Sequence, residues 1–144
     1  MKDPIRLSIL ANHGVNKVLA ISADGETNMK YILLIYGDEQ VGASMSQEDM
    51  QKMYAEHSAY GEAMGKAGII RGGSELKPVS TATTLRFTNG KSAILDGPFA
   101  ETKEQLAGYY LIEVENLEQA LEWAAKMPGM TSGAVEVRPL GASS

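Results

Sequence analysis

The chain has 144 residues, of which 44% are apolar and 22% are charged, and it contains no cysteine. This size and balance are typical of one globular domain, and they exclude wholesale disorder, disulfides and thiolate metal sites. The formal net charge is −5 and the basic residues are scattered, so we expect no nucleic-acid surface. No apolar run approaches the roughly 20 residues of a membrane span, and we expect a cytoplasmic protein with no membrane partner.

Residues 1–28 differ from the rest of the chain because they carry no clean hydrophobic period. At Met29 an apolar run begins abruptly, as it does at the start of many compact domains. We interpret residues 1–28 as an N-terminal extension or as upstream or cloning-derived sequence, and residues 29–144 as the domain proper. Apolar alternation in residues 5–10 and a short apolar run in residues 17–21 leave a small hairpin or a swapped arm open as alternatives.

The first predicted elements of the domain are a strand and a long helix. Residues 31–36 form a near-continuous apolar run, which predicts a central strand, and residues 37–44 predict a loop. Ser46 followed by Asp49 is typical of a helix start, because a serine oxygen accepts free backbone N–H groups there. An amphipathic stripe then predicts a helix of about six turns that ends at Gly68. The stripe consists of Met50, Met53, Tyr54, His57, Tyr60, Gly61 and Met64.

The middle of the chain predicts a β-hairpin. Residues 71–73 predict a loop, and residues 76–78 predict a short edge strand. Two strand-like runs follow, residues 81–88 and 91–95, and the dipeptide Asn89-Gly90 separates them. Asn-Gly between two such runs is a strong short-range hairpin signal.

The last third of the chain predicts a strand, a helix and a strand. Asp96-Gly97-Pro98-Phe99 ends the hairpin, and residues 109–114 predict the next strand. Asn116 begins a second helix, which Pro128-Gly129 ends, and residues 134–137 predict the final strand. The predicted buried face of this helix is Leu117, Ala120, Leu121, Ala124 and Met127.

This order of elements, β-α-β-β-α-β, predicts an α+β fold with a ferredoxin-like antiparallel sheet and two helices on one face. The other face of such a sheet is bare in a single chain. Because the strands carry some apolar side chains on that face, we expect a second copy to cover it, which gives a homodimer.

His57 is the first candidate for chemistry, because an imidazole on the helix stripe can point into a cleft and titrate near neutral pH. The alternative interpretation is a half-buried histidine that fills the space between helix and sheet and bonds to backbone.

Asp96 is the second candidate. A carboxylate at the end of a strand can orient a histidine or bind a cation. The alternative is that Asp96 accepts backbone N–H groups in its own turn, with Gly97 supplying an unusual φ and Pro98 a fixed one.

Tyr109 and Tyr110 face opposite sides of their strand, so one faces the helices and the other is either a dimer contact or a pocket wall. Arg71 and Arg86 are candidates to hold an anionic substrate, or are members of surface ion pairs.

The segment from Asp96 to Glu113, which reads DGPFAETKEQLAGYYLIE, resembles the signature of the DGPF branch of the YCII-related family. The likeness extends to residues 29–36, 81–86 and 135–139, and it does not cover residues 1–28. It implies a bacterial, cytoplasmic protein whose ferredoxin-like domains pair as a dimeric α/β barrel.

The resemblance also implies a function. Relatives suggest a His–Asp pair in a cleft, and some act as dehydrochlorinases on breakdown products of chlorinated aromatics. His57 stands where the broader family carries its histidine, and Asp96 is the aspartate of the motif. Genes of this branch often neighbour those of extracytoplasmic-function sigma factors.

The sequence therefore supports two hypotheses. In the first, the protein is a lyase or isomerase that needs neither cofactor nor metal, and His57 and Asp96 form a catalytic pair that acts on a small molecule. In the second, the protein is a non-enzymatic ligand-binding or regulatory dimer linked to a sigma factor. A hydrogen bond between His57 and Asp96 across a concave pocket would favour the first hypothesis.

Overall fold

A computed structural model describes the backbone of residues 6–12, 15–21 and 27–141, and the side chains of residues 28–141. A single turn of 3₁₀-helix, Val79–Thr81, connects two of its strands. The other elements are β1 (Arg6–Asn12), β2 (Val15–Ile21), β3 (Thr27–Gly37), α1 (Glu39–Ala43), α2 (Gln47–Lys66), β4 (Ile70–Glu75), β5 (Thr83–Thr88), β6 (Lys91–Asp96), β7 (Gln105–Val114), α3 (Leu117–Ala125) and β8 (Ala134–Pro139).

The central sheet is antiparallel, with its strands in the order β8, β3, β7 and β4. On β3, Leu33 lies opposite Tyr110 of β7 on one side and Val137 of β8 on the other. The apolar run that predicted this strand suits a position with neighbours on both sides, because little of the strand is left to face water. The predicted α+β fold with an antiparallel sheet is therefore confirmed.

The position of β4 contradicts two predictions. Residues 71–73, which were predicted to be a loop, lie inside this strand, and residues 76–78, predicted as an edge strand, follow its end. The glycines mark a close approach of two strands instead of a turn. A Cβ atom on Gly73 would lie 2.8 Å from Cδ1 of Tyr110, and one on Gly108 of β7 would lie 2.8 Å from the carbonyl oxygen of Ser74.

The segment after β3, predicted to be a loop, contains the short helix α1. Asp38 caps this helix, because its Oδ1 accepts the N–H of Gln40 at 2.9 Å. A helix of five residues is too short to show a helical period in the sequence, and so the prediction missed it. Glu39 connects α1 to the rest of the fold: its N–H donates to Oε1 of Gln105, and its Oε2 accepts the N–H of Val79, both at 2.9 Å.

Helix α2 begins and ends where the sequence predicted. Oγ of Ser46 accepts the N–H of Asp49 at 3.1 Å, which satisfies one of the free donors of the first turn. At the other end Gly68 has a φ of 72°, and the N–H of Ile69 donates to the carbonyl of Met64 at 3.1 Å. This left-handed glycine with a bond back to the last turn is the Schellman termination of a helix.

The buried core lies between one face of the central sheet and the helices α2 and α3. Alternate residues of β3 point into it, and those between them point to the other face of the sheet. The buried members of the core are Tyr31, Leu33, Tyr60, Met64, Ile112, Val114, Ala120 and Met127.

Helix α3 has the predicted position but a different buried face. Asn116 caps it, accepting the N–H of Gln119 at 2.9 Å. Ala120 and the following Met127 are buried, whereas Leu117 and Leu121 are 49% and 50% exposed. The prediction included these leucines for their hydrophobicity, but the large ring of Trp123 sets which side of the helix packs on Tyr60.

Strands β5 and β6 form the predicted hairpin, which is a separate two-stranded sheet. Asn89 and Gly90 have φ values of 52° and 79°, as a two-residue turn of type I′ requires. The side chains of β6 are exposed along its whole length, and so is nearly all of β5. The hairpin thus presents uncovered apolar side chains. These are Leu85, Phe87, Ile94 and Leu95, together with Phe99 just beyond β6.

The strands β1 and β2 pair with each other in antiparallel register. The second of them continues onto β3, with Ala20 opposite Asn28 and Ile21 opposite Thr27. Within one chain the N-terminal segment thus forms a hairpin, one of its two predicted alternatives, and the swapped arm stays a prediction; Ile5, where the predicted alternation began, lies outside the described residues. Within the described part of the chain, no helix combines the length and the apolar composition needed to cross a membrane.

Candidate functional site

The side chain of His57 forms a hydrogen bond with a tyrosine of the central sheet. His57 is half-buried on the side of α2 that faces the sheet, and its Nδ1 lies 2.9 Å from Oη of Tyr110 on β7. The two ring planes differ by 12°, and their centroids are 6.2 Å apart. The alternative interpretation, a half-buried histidine between helix and sheet, fits this position, but the bond observed is to a side chain instead of to backbone.

Tyr110 is held in place from two sides. Across the strand pair it faces Gly73, where any side chain would collide with its ring, so the glycine creates the space that the ring occupies. From the helix, Tyr60 packs edge-on against it with the centroids 5.3 Å apart. Tyr60 is fixed in turn, because its hydroxyl donates to the carbonyl oxygen of Trp123 at 2.6 Å. The phenol that meets His57 is therefore rigidly positioned.

A second polar pair lies one turn earlier on α2. The hydroxyl of Tyr54 donates to Oε1 of Glu75, the last residue of β4, at 3.2 Å. The negative charge of Glu75 acts on the imidazole of His57, so this carboxylate belongs to the same site.

Burial sets the protonation of the two bonded groups. Desolvation lowers the pKa of His57, and the negative charges of Glu56 and Glu75 oppose this effect without cancelling it. Burial raises the pKa of Tyr110, and burial together with Tyr110 raises the pKa of Tyr60 to about 12. At neutral pH the site therefore joins a neutral imidazole to a protonated phenol.

Asp96 lies elsewhere in the chain. It is the last residue of β6, it is exposed, and it lies opposite Thr83 in the hairpin. Gly97, which follows it, has a φ of 95° and donates its N–H to the carbonyl oxygen of Ala82 at 2.7 Å. Within the described residues no hydrogen bond or ion pair joins Asp96 to His57, so a single chain does not assemble the predicted pair.

The sequence analysis missed Glu75 and did not pair Tyr110 with His57. Tyr54 and His57 were on the predicted stripe, and their spacing of three residues was the available signal. Glu75 was hidden because β4 was placed too late in the chain. The contact of Tyr110 follows from the register of β4 against β7, which local sequence patterns do not reveal.

A concave feature lies away from His57, where α1 meets the segment that precedes β7. It is an open cavity of about 360 Å³. Hydrogen bonds within the chain occupy the polar groups of Glu39 and Gln105 there, and neither His57 nor Asp96 contributes to it. The residues that line it are Asp38, Glu39, Gln40, Thr102, Lys103 and Gln105.

Comparison with known proteins gives a family and a relative. Residues 29–141 match the model of the YCII-related domain. Over 114 residues the chain is 40% identical to an uncharacterized protein of Rhizobium meliloti (strain 1021), an alignment that covers 78% of this chain and 92% of that protein. The match begins at Met29, where the sequence analysis placed the start of the domain.

Proposed function

We propose that this chain, which belongs to the family of YCII-related domains, is an acid–base enzyme of the lyase or isomerase type that acts on a small molecule. The observation that carries this proposal is the hydrogen bond between His57 and Tyr110, half-buried and beside the carboxylate of Glu75. Titratable groups whose surroundings move their pKa values apart are typical of catalytic sites.

Two residues of the site, His57 and Glu75, have complementary roles in the proposal. His57 shares or exchanges a proton with the bound molecule, because imidazole is the side chain whose ordinary pKa lies nearest to neutrality. Glu75, which accepts the hydroxyl hydrogen of Tyr54, is the second acid–base group. Such a pair contributes proton transfers that typically accelerate a reaction by about 10²–10⁴-fold.

The proposal includes a homodimer of ferredoxin-like domains, the dimeric α/β barrel. It is supported by the strand order of the central sheet and by a row of partly exposed apolar side chains on the face opposite the helices. Adjacent strands contribute to this row. We call it the open face, and define it by Ile32, Leu34, Tyr36, Tyr109 and Leu111.

In this proposal Asp96 acts with His57 only if a second copy supplies it. The support is indirect: Asp96 is exposed on a hairpin that its own chain leaves uncovered, and hairpins of that kind often reach a neighbouring subunit. The catalytic role of Asp96 stays a prediction.

The non-enzymatic ligand-binding or regulatory dimer is the second candidate function. One observation favours it, namely the cluster of exposed apolar residues on β5 and β6, of which Phe87 is 68% and Ile94 is 72% exposed. Uncovered apolar surface of this kind is typical of interaction sites. The link to a sigma factor stays a prediction of the family resemblance.

Exchange of ligand protons for deuterium tests the acid–base proposal. The protein is incubated in deuterated buffer with a panel of small ketones and oxo acids, and proton NMR follows the loss of hydrogen from carbon. We expect catalysed exchange with at least one compound, and we expect His57→Gln to reduce it by about 10²-fold or more, because the variant keeps the shape but loses the titrating group.

His13→Gln is the matched control, because it removes the other histidine of the chain. Asp96→Asn tests the contribution from a second copy in the same assay. If a compound is exchanged equally fast by the native protein and by His57→Gln, the acid–base role of His57 is wrong. If nothing in the panel is exchanged while small ligands raise the melting temperature, the binding function is favoured.

A further inference from the structure

The bond between Tyr110 and His57 bears on which nitrogen of the imidazole carries the hydrogen. A neutral imidazole has one N–H donor and one bare nitrogen acceptor, and the contact at Nδ1 determines which is which. Two arrangements satisfy the 2.9 Å distance: either Tyr110 donates to Nδ1, or Nδ1–H donates to the phenol oxygen. They leave opposite groups at Nε2, a donor in the first case and a base in the second.

We propose that Tyr110 is a positioning residue that holds His57 in the Nε2–H tautomer, so that the imidazole offers a donor to the carbonyl oxygen of a neutral small molecule. This inference rests on the proposed function, which supplies the bound small molecule. It adds that this molecule presents a carbonyl oxygen to the site.

The geometry of the two rings fits a hydrogen bond that lies in the imidazole plane. The planes are nearly parallel, while the centroids are too far apart for the rings to lie face to face with a 2.9 Å contact between their polar atoms. The two rings therefore lie almost edge to edge, with the phenol oxygen near the imidazole plane. The lone pair of a bare imidazole nitrogen and the N–H bond of a protonated one both point outward in that plane, so the chemistry of the two groups decides which of them donates.

The chemistry of the two groups favours donation from Tyr110. Within the described residues, the hydroxyl of Tyr110 has His57 as its hydrogen-bond partner and no other acceptor. If Nδ1–H were the donor, the phenolic hydrogen would have no acceptor in this part of the chain. A phenol is a more acidic donor than a neutral imidazole N–H, and the bare imidazole nitrogen is a more basic acceptor than a phenol oxygen.

Nε2 is the atom that remains for a ligand. It has no hydrogen-bond partner among the described residues, and no buried side-chain nitrogen or oxygen there lacks one. Nε2 is therefore open to solvent, and a molecule that enters the site meets its N–H.

The charges around His57 select the kind of acceptor. Glu56 and Glu75 both act on the imidazole with negative charge, and the neighbouring groups Tyr54, Tyr60 and Tyr110 are protonated phenols at neutral pH. A carboxylate ligand would be repelled by the two glutamates, whereas a neutral carbonyl oxygen would not.

The same arrangement suits removal of a proton from the carbon next to that carbonyl. In this step the C–H bond breaks, the proton goes to a carboxylate oxygen of Glu75, and the electron pair moves into the carbon skeleton. Negative charge then develops on the carbonyl oxygen, where the Nε2–H of His57 stabilises it. The step balances without any oxidant, reductant or further reactant, and a neutral imidazole paired with a carboxylate base is a known solution for such chemistry.

The tautomer is measured by ¹⁵N NMR on the uniformly labelled protein at pH 8, where His57 is neutral. The missing signals of His57→Gln assign the resonances. We expect Nε2 at the protonated position and Nδ1 at the unprotonated position. In Tyr110→Phe, which keeps the ring and removes only the hydroxyl, we expect both shifts to move toward the average of exchanging tautomers. Tyr31→Phe, which removes a hydroxyl that donates to Sδ of Met29, is the control and should leave the spectrum unchanged.

Acetone and sodium acetate are the ligand probes, at equal concentration and ionic strength. We expect acetone to shift the Nε2 resonance of the native protein more than acetate does. A native spectrum with hydrogen on Nδ1, an unchanged spectrum in Tyr110→Phe, or a larger response to acetate would each overturn the inference. These readouts need no turnover. An Nε2–H tautomer without catalysed exchange rejects the proposed function alone, and exchange by an Nδ1–H protein rejects this inference alone.

Discussion

The imidazole of His57 has a lowered pKa because it is partly buried, and a charged ring is best solvated in water. Two glutamate charges lie close enough to matter, yet burial has the larger effect. This balance makes His57 a group that changes charge in response to small changes in its surroundings. A ligand that excludes water from the site would lower the pKa further, and one that brings a negative charge would raise it.

The lowered pKa predicts an effect of His57 on stability in mild acid. In the unfolded chain the imidazole has its ordinary pKa of about 6.5, which is higher than in the folded protein. The stabilising contribution is therefore fully present above pH 6.5, and it is lost as the pH falls through the lowered pKa of the folded state, because the unfolded state binds the proton first.

Urea unfolding of the native protein and of His57→Gln at several pH values between 8 and 5 measures this contribution. The difference in free energy of unfolding between the two proteins isolates His57, since other groups titrate in both. We expect the native protein to lose its advantage as the pH falls. A difference that stays constant across this range would contradict the prediction.

At the level of single residues, the sequence predicted which helix or strand carries each candidate residue, but it did not predict which side chains bond to each other. His57 and Tyr110 were each assigned to the correct helix and strand from local patterns. Their hydrogen bond joins positions 53 residues apart, and it depends on strand register and on the space left by Gly73. Asp96 was assigned to the correct strand end, but no local pattern specifies which chain it faces.

Among the elements, the pairing of β4 with β7 leaves the least room for an added side chain, because glycines on both strands allow the close approach. We expect Gly73→Ala to destabilise the fold by about 1–3 kcal/mol, the usual range for forcing an extra group into a packed site. The new methyl group would meet the ring of Tyr110 and the carbonyl oxygen of Tyr109, which lies 2.9 Å away. Chemical denaturation measures the loss, and the NMR signals of His57 should move with the displaced ring.

Gly65→Ala is the matched control for that substitution. Gly65 lies in α2, and a Cβ there would meet nothing within 4 Å. Because alanine restricts the unfolded chain and favours a helix, this variant should be more stable by about 0.5–1 kcal/mol. If Gly73→Ala behaved like Gly65→Ala, the close packing of β4 on β7 would be wrong.

Elements whose ends or turns are marked by particular residues were predicted correctly, and elements without such local sequence signals were not. The caps of α2 and the turn at Asn89-Gly90 depend on residues that are neighbours in sequence, and they were confirmed. The buried face of α3 depends on which residues tertiary packing selects, so Leu117 and Leu121 were assigned wrongly. The helix α1 is too short for any period to be detected.

For the whole molecule, the open face predicts a homodimer in solution. We expect the native protein to have twice the mass of one chain by light scattering, and Ile32→Glu to be monomeric, because taking a carboxylate out of water between two sheets costs more than a neighbouring cation returns. In the single chain the new carboxylate would lie opposite Arg138 of β8, so the domain itself should still fold, as circular dichroism would verify.

Leu121→Glu provides the control, since it adds the same charge at an exposed position of α3 on the other side of the sheet. This variant should keep the mass of the native protein. A monomeric native protein, or equal loss of association in both variants, would count against the open face as the dimer contact.

Because the β5–β6 hairpin is separate from the central sheet, we expect it to unfold locally while the central sheet stays folded. We expect amide hydrogens in β3 and β7 to exchange with solvent only when the whole core unfolds. Those of an uncovered two-stranded ribbon should exchange through local openings that cost little free energy. A dilute sample should therefore show a slow and a fast class of amides. If a neighbouring subunit covers the ribbon, the fast class will slow as protein concentration rises, so hydrogen exchange would report occupancy of the hairpin directly.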